Sequence, residues 1–401
     1  MTRRLASTKL KSTASAQRRE AMDNLPEDSV FIALQSDHRW SVNRAPTSPH
    51  PFDSLKPVNE NIYIGTDSGA TTTKIAAVRS DGEPVAQEVL QRPTESAAGR
   101  GGVIDGWIRA IDAFLAAHNF SWEQIAGVGL AIPGPYLGYG VMDRSPNFPA
   151  AFAGWNVHED FSRALSSRAG YPLPLVVGND GNFGGVAEAR WARAGRRASV
   201  LMLMPGSGLG CAYIDADGRP LDGDTLAGLE SGHQPAPMHV LGWNKKPLPC
   251  GCGRNWGCVE AYTTISGLGH LLEEKLAEFP DHELATSTMA QKAKVLSLRD
   301  RAQQGDPLAT SIFDLQAHVM GLHVASLTMT LDAGIVVIGG GLMAPEATTE
   351  EFRDRYLSLV RKTAAPFLWP IQREKMEILP ARLGDLSQAI GAALVALAND
   401  R

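Results

Sequence analysis

Three of the chain's four cysteines, Cys250, Cys252 and Cys258, fall within nine consecutive residues. Thiolates at that spacing suit a tetrahedral metal, and His233 or His239 could supply the fourth donor. Protein atoms would then fill all four positions of a Cys3His site. The ion, zinc by its ligand chemistry, would be structural, with no place for an activated water. A deaminase needs Pro-Cys-x-x-Cys and an open coordination position, so it fits poorly. Four cysteines, three of them so clustered, also make no disulfide framework, which points to a reducing, cytoplasmic setting.

Carboxylates follow the same neighbourhood. Glu230 stands three residues before His233, and Glu260 two residues after Cys258. A metal closing this loop would hold both near one place, where acids away from phosphate suit a ligand rich in hydroxyls. Asn179-Asp180-Gly181-Asn182 follows the apolar run Leu175 to Val177 and precedes a helical stretch through Ala187, Glu188 and Trp191. An Asp at such a junction serves either as an N-cap or as an acceptor for a substrate proton.

Glycine turns supply the remaining chemistry. Gly65 to Ala70 and Pro205 to Gly210 each follow an apolar run, and bare backbone there lets N–H groups approach phosphate oxygens. Either turn could equally be a tight bend. Asp67 in the first is a natural partner for the waters of Mg2+. Gly339-Gly340-Gly341 could receive an adenine and ribose, or simply turn the chain. No Walker motif and no G-x-G-x-x-G fingerprint occurs.

The elements that must position these residues read as α/β. Ile62 to Ile64 and Lys74 to Val78 flank the first turn as strands, with Asp81-Gly82 as a hairpin signal. Val200 to Met204 and Ala212 to Ile214 flank the second turn, with Asp217-Gly218 repeating the punctuation. Two such units about 140 residues apart predict an internally duplicated fold with two lobes. Trp107 to Ala117 reads as a helix. Asp306 and Pro307 open another, whose stripe Leu308, Ile312, Leu315, Val319 and Leu322 predicts burial of one face. Gly334 to Ile338 reads as a buried strand, and Ala389 to Ala398 as a terminal helix docked on the first lobe.

Composition narrows the function classes. The 401 residues are 44% hydrophobic and 20% charged, ordinary globular values, and the net charge is −5. An acidic body argues against nucleic acid as the main partner. Ala325 to Ala344 is interrupted by Asp332 and a glycine triplet, so no membrane span is expected. Residues 1–58 are polar and proline-bearing and read as a disordered extension. Arg3, Arg4, Lys9, Lys11, Arg18 and Arg19 occur there without an acid up to Arg19, and no apolar segment marks a secretory signal.

Glu230-x-Gly232-His233, followed by Cys-x-Cys-Gly and Gly-Cys-x-Glu, resembles the signature of the ROK family of sugar kinases and sugar-responsive repressors. Other blocks agree in order over residues 61–398. Asp67-x-Gly69-Ala70-Thr71 and Gly206-Ser207-Gly208 resemble the two phosphate motifs, and Ile338-Gly339-Gly340-Gly341 the adenosine motif. Ile132-Pro133-Gly134-Pro135, Ser145-Pro146-Asn147 and Asn179-Asp180 resemble the sugar-side segments, and Gly391-Ala392-Ala393 the last helix.

The resemblance implies an actin-like (ribonuclease H-like) two-lobed α/β fold with a cleft and a zinc knuckle. A small lobe, 59–178, would be completed by 386–401, and a large lobe would span 179–385. It implies transfer of the γ-phosphoryl group of ATP, with Mg2+, to a sugar hydroxyl, and a homo-oligomer. Asp180 would be the general base. Gly134, Asn147, Asn179, Glu230, His233 and Glu260 would hold the sugar, His233 also ligating zinc. Asp67, Gly69, Thr71, Thr72, Gly206, Ser207, Gly208 and Gly339 to Gly341 would hold the nucleotide. Glucose is the first expectation, with fructose, mannose, allose and N-acetylmannosamine open. A repressor would carry a winged helix-turn-helix ahead of this core, and residues 1–58 lack a pair of amphipathic helices. The chain departs from the pattern at Ala70, where a glycine is usual. It departs again at Trp256, which lengthens the Cys252–Cys258 spacing by one residue, and in the long stretch from His233 to Cys250, which keeps His239 open as a ligand.

Overall fold

The computed structural model describes residues 61–144 and 148–400. Asn147 and the expected extension, residues 1–58, lie outside the described residues. Strands β1 (Ile62–Ser68), β2 (Thr72–Arg79), β3 (Leu90–Pro93) and β4 (Ile125–Ile132) come first in the chain. The hairpin β5 (Tyr136–Gly138) and β6 (Val141–Met142) follows, then β7 (Leu175–Asn179). Sheet one has the order β3-β2-β1-β4-β7, with β1, β4 and β7 parallel and β2 antiparallel to β1. Its central strands β1 and β4 are buried almost throughout because both faces are covered, whereas the edge strand β3 is largely exposed. Ile62, Ile64 and Ile75 pack with Trp107, Ile111 and Phe114 of helix Gly99–His118. On the other face Tyr63, Ala76 and Val78 meet Ala389, Ile390 and Ala393 of helix Ser387–Asn399.

Close approach by that last helix explains two strand glycines. A Cβ on Gly65 would lie 1.8 Å from the carbonyl oxygen of Ala389, and one on Gly129 2.0 Å from that of Ala392. No side chain fits there.

Strands β8 (Val200–Pro205), β9 (Leu209–Ile214), β10 (Ile335–Ile338) and β11 (Glu377–Pro380) form sheet two in the order β11-β10-β8-β9. Leu201, Leu203, Val336 and Ile338 pack into a core with helix Pro307–Leu331. Asp306 caps that helix as expected, accepting from the Ala309 N–H at 3.0 Å. Its burial differs from the one-sided stripe: Phe313, Gln316, Ala317, Met320 and Val324 are buried as well. The helix is enclosed between sheet two and helix Glu350–Ala364, so most of its circumference is core.

The two strand–turn–strand units match in backbone detail. After β2, the N–H of Gly82 donates to Arg79 O and that of Val85 to Ala77 O; after β9, Gly218 donates to Asp215 O and Leu221 to Tyr213 O. Gly82 and Gly218 both take positive φ, 83° and 94°. In sheet one, Ser68, Ile132 and Asn179 end parallel strands at one edge; Pro205, Ile338 and Pro380 do so in sheet two. Ligands of open α/β sheets bind outside such carboxyl edges.

Candidate active site

Asn179 and Asp180 divide the labour at the end of β7. Asn179, not Asp180, caps helix Asp180–Arg193, its Oδ1 accepting from the Asn182 N–H at 3.1 Å. Asp180 is thereby released from capping and sits half-buried in the first helical turn. Loss of solvation raises its pKa above the ordinary aspartate range, opposed by the Gly181 N–H that donates to Oδ1 at 2.8 Å. Gly134 lies alongside, where a Cβ would come 3.4 Å from the Tyr136 ring and 3.8 Å from Asn179 Nδ2.

Across from it, Glu230 leads the turn Ser231–His233. Partial loss of solvation raises the Glu230 carboxyl; His233 opposes the shift, and the charges of Glu260 and Asp180 add to it, although the side chain opens to solvent. His233 Nε2 lies 3.8 Å from Glu230 Oε2, and its Nδ1 3.9 Å from Glu260 Oε1. Asp180, Glu230, His233 and Glu260 are thus brought together.

His233, Cys250, Cys252 and Cys258 place one ligand atom each within 4.8 Å of one another. His239 lies outside this cluster, so His233 is the histidine that stands beside the three thiols. Sulfurs bound tetrahedrally to zinc at about 2.3 Å stand about 3.8 Å apart. Cys252 Sγ and Cys258 Sγ are 3.7 Å apart, as are Cys250 Sγ and His233 Nδ1. The donor set and its geometry fit a closed tetrahedral site. The inserted Trp256 folds back on it, its indole N–H reaching Cys258 Sγ at 3.0 Å and His233 O at 3.1 Å.

The two glycine turns are both tight. In the first, the Gly69 N–H donates to Thr72 O at 3.0 Å, and Thr94 Oγ1 donates to Gly69 O at 2.8 Å. Thr71 is exposed, while Asp67 and Thr72 are half-buried. In the second, the Gly206 N–H donates to Gly208 O at 2.9 Å, leaving Ser207 and Gly208 exposed. Gly340, at φ 71°, is pressed against this second turn: a Cβ there would lie 2.1 Å from Pro205 O. A cleft of 470 Å³ opens beside Gly340, walled by Met343, Pro345, Arg382 and Leu383. The second turn and the triple glycine are therefore neighbours.

Several residues at the site carry no sequence signal. Asp222 accepts from Asn182 Nδ2 at 2.5 Å and from the hydroxyl of Tyr139, in the β5–β6 hairpin. Burial, with the charges of Asp180 and Asp222, raises the Tyr136 hydroxyl well above its usual pKa. Ser266 donates to Ser207 O at 2.6 Å. Cys211, by contrast, is a buried free thiol. No helix among the described residues is long and apolar enough to cross a membrane.

Known proteins resemble this arrangement. A glucokinase from Halalkalibacterium halodurans is 28% identical over 83% of this chain and 94% of its own length. An N-acetyl-D-glucosamine kinase from Erwinia tasmaniensis is 26% identical over 76% and 92%. The crystal structure of a ROK hexokinase from Thermus thermophilus matches with a TM-score of 0.63 and 26% identity, over 84% of this chain and 98% of that one. A ROK family transcriptional regulator shares the fold alone, at 17% identity and a TM-score of 0.64, over 84% and 79%. The ROK family model matches residues 63–399, nearly the whole described molecule, and the chain belongs to the ROK family.

Proposed function

We propose that this protein is an ATP-dependent sugar kinase of the cytoplasm, moving the γ-phosphoryl group of ATP to the primary hydroxyl of a hexose. The observation that carries the reading is Asp180. It is freed from capping by Asn179, raised in pKa by burial, and close enough to Glu230 for their charges to interact. A carboxylate so placed takes a hydroxyl proton as the oxygen attacks phosphorus in line.

The remaining parts follow from position. Asn179, Glu230 and His233 hold the sugar hydroxyls, and Gly134 leaves room beside them; Asn147 joins them on the family resemblance alone. The turns at Gly69 to Thr72 and Gly206 to Gly208 would face the phosphates, and Asp67 would hold Mg2+ through its waters. Gly339 to Gly341 and the adjoining cleft take the adenosine. Mg2+ supplies charge neutralisation on the phosphates. His233, Cys250, Cys252 and Cys258 would hold zinc, a crosslink that closes the loop carrying both site glutamates. An actin-like pair of lobes, 59–178 with 386–401 and 179–385, accounts for two sheets whose carboxyl edges carry these groups.

Glucose stands first, and the N-acetyl-D-glucosamine kinase relative supports N-acetylhexosamines among the other candidates. An ATP-coupled screen across hexoses and N-acetylhexosamines tests the reading: sugar-dependent ADP release is expected. No release with any sugar, together with a DNA mobility shift, would instead favour a sugar-responsive repressor.

A further inference from the structure

The chain that leaves the metal cluster runs directly to the second phosphate turn and bonds to it at three points. Glu260, two residues after Cys258, accepts the Leu209 N–H on Oε2 at 2.9 Å. The Ile265 N–H donates to Gly206 O at 2.9 Å, and Ser266 Oγ donates to Ser207 O at 2.6 Å. A Cβ on Gly208 would lie 2.9 Å from Glu260 Oε2, so the turn and the carboxylate are packed without a gap.

The segment making these bonds is stiff. Ala261, Tyr262, Thr263 and Thr264 are buried, and Thr264 Oγ1 donates to Glu260 O at 2.9 Å. Gln316, from helix Pro307–Leu331, donates to Thr263 O. Apart from this support, the turn is held at its base by the β8–β9 ladder and by its internal Gly206–Gly208 bond, and Ser207 and Gly208 are open to solvent. A flexible glycine turn must lose conformational freedom to cradle phosphate, and a pre-ordered one loses less.

We propose that Glu260 and Ser266 are positioning residues for the nucleotide: they transmit the order of the metal knuckle to the second phosphate turn. Fixing Cys258 fixes Glu260 two residues on, so the knuckle supports phosphate binding as well as the sugar side. This rests on the kinase reading above. It gives Glu260 a task distinct from holding sugar, since its Oε2 is already engaged by Leu209.

Ser266 provides the clean test because it is exposed and its loss leaves the core intact. Calorimetry with a non-hydrolysable ATP analogue, and separately with the sugar found by the screen, is run on wild type, Ser266→Ala and Ser266→Thr. Removing one such bond should weaken analogue binding roughly 3- to 10-fold, leave sugar binding unchanged, and be rescued by the threonine hydroxyl. Stripping the metal with a chelator should weaken analogue binding in wild type, and zinc should restore it. Analogue binding unaltered in Ser266→Ala overturns the latch while the kinase reading stands. Binding unaltered by chelation overturns the link to the metal. No analogue binding by wild type overturns both readings.

Discussion

Asn182 and Asp222 are joined by a side-chain hydrogen bond of 2.5 Å, although they lie 40 residues apart in the chain. Asn182 stands two residues beyond Asp180 in the same helical turn, and Asp222 also receives the Tyr139 hydroxyl. One carboxylate therefore ties the β5–β6 hairpin to the turn that carries the proposed base. Asp222→Ala leaves the buried Asn182 amide without its acceptor, which costs about 1–3 kcal/mol. Urea denaturation should register that loss, and turnover should fall more than sugar affinity.

Asp180→Asn should lower kcat by about 10²–10⁴-fold, the usual span for a general base, with the melting temperature nearly unchanged. Fold is spared because Asn179 makes the cap. In wild type the ionised form is the active one, and burial raises the pKa above 3.8. The acid limb of kcat/KM should accordingly lie above that value and be absent from the residual activity of the asparagine variant. Near-normal turnover in Asp180→Asn would remove it from the mechanism.

Elemental analysis of the purified protein should find about one zinc per chain. Cys252→Ser should reduce that content and destabilise the fold. Trp256 provides an optical report, since its N–H contacts both Cys258 Sγ and His233 O. Its fluorescence should change on chelation and recover with zinc. Protein purified without zinc or any other bound metal would contradict the assignment.

His323 is buried in helix Pro307–Leu331, against Ser231 Oγ at 3.1 Å, and burial lowers its pKa from 6.5 to about 4. The unfolded imidazole takes a proton as pH falls through 6.5, while the folded one stays neutral until about 4. Stability from this group is therefore full above pH 6.5 and lost as pH falls toward 4, about 3 kcal/mol in all. Subtracting the pH–stability curve of His323→Gln from that of wild type should isolate this component.

Local patterns carried the strands and their turns because period and glycine punctuation are written in neighbouring residues. Asp81-Gly82 and Asp217-Gly218 announced a duplication that recurs bond for bond. The helix read from Trp107 begins earlier, at Gly99, since Gly99, Gly101 and Gly102 hide its first turns. Asn179 took the cap that Asp180 was equally suited to make, a choice between adjacent polar residues that no spacing rule separates. Asp222 and Ser266 left no trace because their partners lie 40 and 59 residues away. His239 and His233 were equivalent by composition and were told apart only by the loop that carries them.

The helix Ser387–Asn399 lies against Gly65 and Gly129 so closely that their missing side chains shape its seat. The earliest strand of the described fold is thus sealed by its latest helix. During synthesis, sheet one must wait with one face open while more than two hundred residues, including the whole metal loop, are added. Completion of sheet one is consequently a terminal event, and any chain ending before Ser387 leaves that face of it open.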